Sequence, residues 1–285
     1  MVNLKSAYCA IPALLLAAAA TAQSRPGITF DQTLQTVTTT PGHFDSSITV
    51  MHMTAAGSDA RIDVEQGTLG PSSIGPFLSG THLVMILRDG GTQTVFINPD
   101  KKQYMSIKPF EMIQGFRKML EGMGGSMNVD TSVTRVSFDS LGPGPAIDGH
   151  PTLNYRLTTV IKMTVSMMGQ ENVIEDQSTQ DIQAATDIGE FADAVTAVNR
   201  FAEISQSLGM AKDFFDKVVA TRRKMRGFPL RSVKRSTRSA RGVTHVVTET
   251  IDTKNVKRLT VPDSLFAIPG DYKPVTLPST SGTGT

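Results

Sequence analysis

Five histidines stand at positions 43, 52, 82, 150 and 245, and none is at ligand spacing from another. A helical zinc site needs His-Glu-x-x-His, a hydrolase elbow needs Gly-x-Ser-x-Gly, and a phosphate loop needs a glycine-rich turn followed by Lys and Ser or Thr. The chain contains none of the three. No nucleophile–base pair can be named, so the sequence reads as non-enzymatic, with no cofactor and no metal. Asp187, Glu190 and Asp193 resemble acid–base candidates. They stand where a helical pattern begins, and the positive end of a helix attracts carboxylates in any case, so capping accounts for them.

Two compositional features remain. The first is methionine, fourteen in all. Met51-His52-Met53 suggests soft-metal binding, but on a strand His52 points away from both methionines, and adaptable core filling is the favoured reading. Met112, Met119, Met123, Met163 and Met167 instead suggest a deformable apolar groove between sheet and helix, a surface suited to acyl chains. The second is basic. Arg222, Arg223, Lys224, Arg226, Arg231, Lys234, Arg235, Arg238 and Arg241 fall within 222–241. They form either a patch for anionic lipid or an acidic partner, or the solvated end of a helix and the wet face of a hairpin; the second reading is favoured. Nucleic acid is not expected as a partner: no aromatics interleave with the charges, and export removes the usual target.

The positioning elements follow from composition and period. The 285 residues carry 28 Lys and Arg against 26 Asp and Glu, 39% hydrophobic residues, one Cys and no Trp. That is too apolar for a disordered chain and too interrupted for a polytopic membrane protein. Residues 1–22 read as a secretory signal peptide: Lys5, an apolar run from Ala10 to Ala20, and the small-x-small site Ala20-Thr21-Ala22. The run is about half of the ~20 residues of a permanent span. Cys9 precedes most of the run, which argues against lipid attachment, and cleavage after Ala22 leaves no thiol for disulfides or zinc. The protein is therefore expected to be periplasmic or secreted.

Over 27–108 the chain reads as successive strands, joined by turns such as Asp89-Gly90-Gly91 and 98–102, which are too short for parallel crossovers. Pro109 opens a helix whose apolar positions are Phe110, Ile113, Phe116, Met119, Leu120 and Met123, with Gly124-Gly125 ending it. A strand is expected over 131–138, a rigid loop at Gly142-Pro143-Gly144-Pro145, a turn at 148–151, and a long alternating strand over 152–168, followed by its partner over 173–182. The period is helical over 189–226. Strands return at 231–239 and 243–252. Residues 274–285, rich in Pro, Ser, Thr and Gly, read as a disordered tail.

The segments Asp100-Lys101-Lys102-Gln103-Tyr104, Ile147-Asp148-Gly149-His150-Pro151 and Phe266-Ala267-Ile268-Pro269-Gly270-Asp271-Tyr272, in this order, resemble exported bacterial proteins of unknown function similar to the LolA-type lipoprotein carriers. The resemblance covers about 30–272, with 189–226 as an elaboration, and its motifs are short and structural. Relatives often carry a cysteine where this chain has Leu153. The resemblance implies an antiparallel sheet curled into an incomplete barrel, helices over its concave side, and acyl chains bound in the concavity.

The expected fold is thus α+β: a curved antiparallel sheet whose concave face is covered by helices, as one domain over 23–273 with a helical insertion at 189–226. The expected function is binding of a hydrophobic small molecule or lipid by a monomer, through Ile161, Met163, Val165 and Met167 on a strand and Phe110, Ile113, Phe116 and Met119 on a helix. The alternative is a cell-envelope interaction module. It would dock an envelope protein or an anionic membrane surface through Arg231, Lys234 and Arg238.

Overall fold

Long runs of Thr, Val and Ile, alternating with polar residues and broken by Gly-containing turns, favour extended chain. The computed structural model describes residues 23–67, 82–122, 124–129, 133–167, 169–192, 217–218, 220–240 and 242–275. The strands are β1 (Ser24–Thr40), β2 (His43–Ala56), β3 (Asp59–Gln66), β4 (Leu83–Arg88), β5 (Gln93–Asn98), β6 (Gln103–Ile107), β7 (Ser126–Val129), β8 (Arg135–Ile147), β9 (His150–Met167), β10 (Gln170–Ala185), β11 (Phe228–Ala240), β12 (Val243–Pro262) and β13 (Lys273–Pro274). One helix, α1 (Pro109–Gly122), stands between β6 and β7. Among the described residues, all thirteen strands join one sheet in the order β13-β6-β5-β4-β3-β2-β1-β12-β11-β10-β9-β7, with β8 also on β9. Every pairing is antiparallel except that of β13 with β6.

Strand alternation sorts side chains onto two faces. On the inner face, Phe30, Met53, Ile62, Met85, Phe96 and Met105 are directly paired in one row across β1 to β6. None of the six is more than 3% exposed. The same core takes in Ala185, Ile188, Phe228 and Leu230 from the far side of the sheet, so the sheet curls toward this face. On the outer face, Val84, Ile86, Val95 and Ile97 pack with Ala56 and Val261 under Phe266, with Leu265, Ile268 and Tyr272 at the margin. Leu83 to Leu87 is buried on both faces, hence its unbroken apolar run. Each large side chain so buried contributes about 1.5–3 kcal/mol.

The outer cover is the C-terminal segment itself. After β12 it makes a single helical turn at Asp263–Phe266, crosses the outer face, and ends as β13 beside β6. Arg88 donates to the Phe266 carbonyl at 2.7 Å, and Lys102 meets Asp271 at 2.7 Å. The Val275 N–H reaches the Tyr104 carbonyl at 2.8 Å, so the tail expected from 274 opens with paired residues.

The α+β expectation is overturned. The fold is almost wholly sheet, curved and open, and among the described residues no helix covers a face. The reason is physical: around β3 to β6 the curl of the sheet buries one face and the C-terminal segment the other, so no helical layer is needed. Within the described part of 189–226 there is a single helical turn at Gly189–Phe191, and residues 217–218 and 220–222 are helical. Residues 193–216 and 219, the expected signal peptide 1–22, and 276–285 lie outside the described residues. Gly142-Pro143-Gly144-Pro145 is not a loop but part of β8, where register breaks beside Gly142 and Gly144 accommodate it. An edge strand tolerates proline because one side of it makes no ladder.

Candidate functional site

Beyond the main core the sheet extends as a wing formed by β8 to β12 and the β1–β2 hairpin. On its inner face, alternation along β9 brings Tyr155, Leu157, Ile161 and Met163 to one side. Ile161 and Met163 are 2% and 8% exposed and form a separate cluster with Val218, flanked by half-buried Val136 and Ile174. Tyr155, Ile182 and Ala184 form another cluster with Phe138, Leu153 and Met225, and the Phe138 and Tyr155 rings stack at 5.1 Å. The chain around 218–226 therefore lies against the inner face of β9 and β10.

Of the expected ligand residues, the structure brings Ile161 and Met163 together. Val165 is half-buried further along the same face of β9, beside Asn172 and Met127. Met167 ends the strand, and Phe110, Ile113, Phe116 and Met119 lie on α1; these five side chains fall outside the described residues. What α1 does show is its wet face, with Glu111, Gln114, Lys118 and Glu121 exposed. Met51 and Met53 belong to the core while His52 points outward, as strand alternation requires.

Sequence reasoning missed that much of the inner wing is polar. Gln32 donates to Thr253 at 3.1 Å, Gln180 donates to Ser232 at 2.6 Å, and Arg222 donates to Gln180 at 2.6 Å. Gln32, Gln180, Ser232 and Thr253 are all buried. Amide and hydroxyl spacing of two along each strand was the available signal, but it becomes a wall only once four strands are set in register.

The basic stretch divides between the faces. Lys234 and Arg238 alternate with Arg231, and each is matched by a cross-strand carboxylate: Arg231 with Asp252 at 3.4 Å, Lys234 with Glu249 at 3.6 Å, Arg238 with Asp176 at 2.9 Å. An acidic partner would have to displace these carboxylates. A groove of ≈ 290 Å³ lies nearby, lined by Val133, Val160, Lys162, Glu175, Gln177 and Thr237 among others. Lys162 and Glu175, 3.5 Å apart, alternate with Ile161 and Ile174 and so mark it as outer-face.

Two polar clusters hold the frame. Asp31 accepts from Asn255 at 2.7 Å and from His52 Nδ1 at 2.7 Å, which holds its carboxyl below the usual range. His52 Nε2 lies 3.0 Å from the Thr29 hydroxyl, which donates to the Met53 carbonyl at 2.9 Å. At the base of β9, His150 Nδ1 meets Asp187 at 2.8 Å and lowers that carboxyl. Arg258 donates to the Asp187 carbonyl at 2.6 Å and to Glu190 at 2.8 Å. Asp187 and Glu190 are thus clamps between β9, β12 and the 187–191 turn, not helix caps. Asp193 lies outside the described residues.

No protein-family model matches the chain, and no curated protein matches it. Among solved structures, PNGF-II is similar over 86% of this chain at 10% identity and a TM-score of 0.25, and the match spans 30% of PNGF-II's own length. A Vibrio parahaemolyticus domain assigned to outer membrane lipoprotein sorting is similar over 82% of this chain and 85% of that one, at 6% identity and a TM-score of 0.25. Both are distant likenesses, and the functional reading rests on the geometry of the chain itself.

Proposed function

We propose that this protein is a non-enzymatic binding protein for a hydrophobic ligand, a lipid or an acyl chain, and that it works outside the cytoplasm, in the periplasm or as a secreted protein. The observation that carries the reading is the Ile161–Met163–Val218 cluster, an apolar patch on the inner wing separate from the main core. Ile161 and Met163 belong to a continuous sheet, whereas Val218 belongs to a short helical stretch. Val165 extends the apolar surface along β9. Each methylene of an acyl chain buried there gains about 0.8 kcal/mol, enough for affinity with few polar contacts. Methionine adapts its shape to differing chains.

The test is uptake. The purified protein should yield solvent-extractable lipid or bind a fluorescent fatty acid, and Val165→Glu, at a half-buried position, should weaken uptake while leaving the unfolding midpoint near that of wild type. The absence of both extractable lipid and fatty-acid uptake would overturn the reading.

A further inference from the structure

The C-terminal segment is held unequally along its length. Its root, Asp263–Phe266, is pinned from several sides. The Asp263 N–H donates to the Gln23 carbonyl at 2.9 Å, Arg25 lies 3.0 Å from the Asp263 carboxylate, and Arg88 donates to the Phe266 carbonyl at 2.7 Å. The Arg25 guanidinium also stands 5.1 Å from the centre of the Phe266 ring, and Phe266 is 4% exposed. The Ala267 N–H closes the turn onto the Ser264 carbonyl at 3.1 Å.

Beyond that turn the ties weaken. None of residues 267–275 is buried; Ile268, Tyr272 and Val275 are half-buried and the others exposed. The Lys273 N–H reaches the Lys102 carbonyl at 2.9 Å and the Val275 N–H the Tyr104 carbonyl at 2.8 Å. Pro274 between them has no N–H to give. The Lys102–Asp271 pair is 65% and 58% exposed, so water and salt screen it. Beneath this arm Tyr104, Ile97 and Val84 are directly paired in one outer-face row across β6, β5 and β4. Ile268 and Tyr272 pack on the cluster to which that row belongs, and Ile97 and Val84 are only 2% and 6% exposed.

We propose that residues 267–275 are a lid, which opens and closes as one unit about Ala267 while the Asp263–Phe266 root stays seated. A hinge belongs where strong ties give way to weak ones, and Ala267 is that point. Segments with few buried contacts open at a free energy well below that of global unfolding. The lid moves as a unit because its bend is closed internally, with the Tyr272 N–H donating to the Pro269 carbonyl at 3.1 Å. Pro269 and Pro274 stiffen the chain on either side of that bend. Opening has two consequences at one place. It bares the Tyr104–Ile97–Val84 row, and it frees the side of β6 that β13 covers. Unpaired strand edges template pairing with other chains, so the closed lid guards this edge. The lid lies on the face opposite the Ile161–Met163–Val218 patch, so the inference does not depend on the ligand reading.

Native-state hydrogen exchange on the full chain tests this. After correction for intrinsic rates, the amides of Tyr272, Lys273 and Val275 should share one protection level, at least about tenfold below that of Val95 and Ile97, and should respond little to low urea. In a Cys9→Ser background, the pair Gln103→Cys and Lys273→Cys places two thiols at directly paired positions, within disulfide reach. Oxidation should slow exchange at Val275 at least about tenfold, and reductant should restore it. Tyr272, Lys273 and Val275 exchanging as slowly as Val95 and Ile97 would overturn the proposal. So would protection that climbs stepwise from Val275 to Tyr272, the mark of fraying, or an Asp263 amide that exchanges together with them. A cross-link that leaves Val275 exchange unchanged would overturn it as well.

Discussion

The rings of Phe30 and Phe228 meet edge to face, with centroids 5.1 Å apart and planes at 81°. Phe30 belongs to β1 and Phe228 opens β11, with β12 between them in the sheet. Their contact thus reports the inward curl directly. Phe228→Ala should lower stability by about 3–5 kcal/mol, as for other buried aromatics truncated in a core. Phe228→Leu should cost clearly less. Urea unfolding of both variants checks this, and equal midpoints would argue against the packing described.

Gly27 marks the closest approach between β1 and its neighbours. A Cβ there would sit 2.4 Å from Val261 Cγ2 and 2.6 Å from the Ala55 carbonyl. Gly27→Ala should therefore destabilise the protein by roughly 1–3 kcal/mol or more through overpacking. Gly115→Ala, in α1 with open space around it, should be neutral or stabilising. Thermal unfolding of the pair separates local crowding from a general intolerance of substitution.

Acid should weaken the frame through Asp31. Its carboxyl is held below the ordinary value of 3.8, first by Asn255 and then by His52. A group with a lowered folded pKa stabilises above its unfolded value and loses that contribution as pH falls through the folded value. The stability difference between wild type and Asp31→Asn should therefore be full above about pH 5 and shrink steadily below about pH 4. A difference that stays constant from neutral to pH 3 would contradict the assignment.

Charge reversal should distinguish the two faces of β11. Arg238 pairs with Asp176, whose side chain is only 13% exposed, whereas Arg231 pairs with Asp252, which is 42% exposed. Arg238→Glu leaves a largely buried carboxylate facing a like charge; Arg231→Glu leaves one that water can screen. Arg238→Glu should lower Tm by several degrees and Arg231→Glu by less, on a scale of about 2–4 °C per kcal/mol for a domain of this size. Differential scanning calorimetry decides it.

Alternation alone located most strands, because a half-buried strand repeats every two residues regardless of its neighbours. Gln103 to Ile107 and the turn at Asp89-Gly90-Gly91 are recovered closely, and Pro109 does open α1. The period of two also sets His52 on the opposite face from Met51 and Met53. Local pattern failed at Gly142-Pro143-Gly144-Pro145, since prolines signal a loop unless the strand is known to be an edge. Most of 189–226, where the period is helical, lies outside the described residues.

By itself, the sequence determined strand identity, turn chemistry and the side of each strand that is apolar, all properties of neighbouring residues. Only the tertiary structure decided which strands meet. It laid Phe266 and Ile268 over β4 and β5 and matched Lys234 and Arg238 to carboxylates from β12 and β10. Those relationships join residues far apart in the chain, and no local period carries information about a partner strand's register.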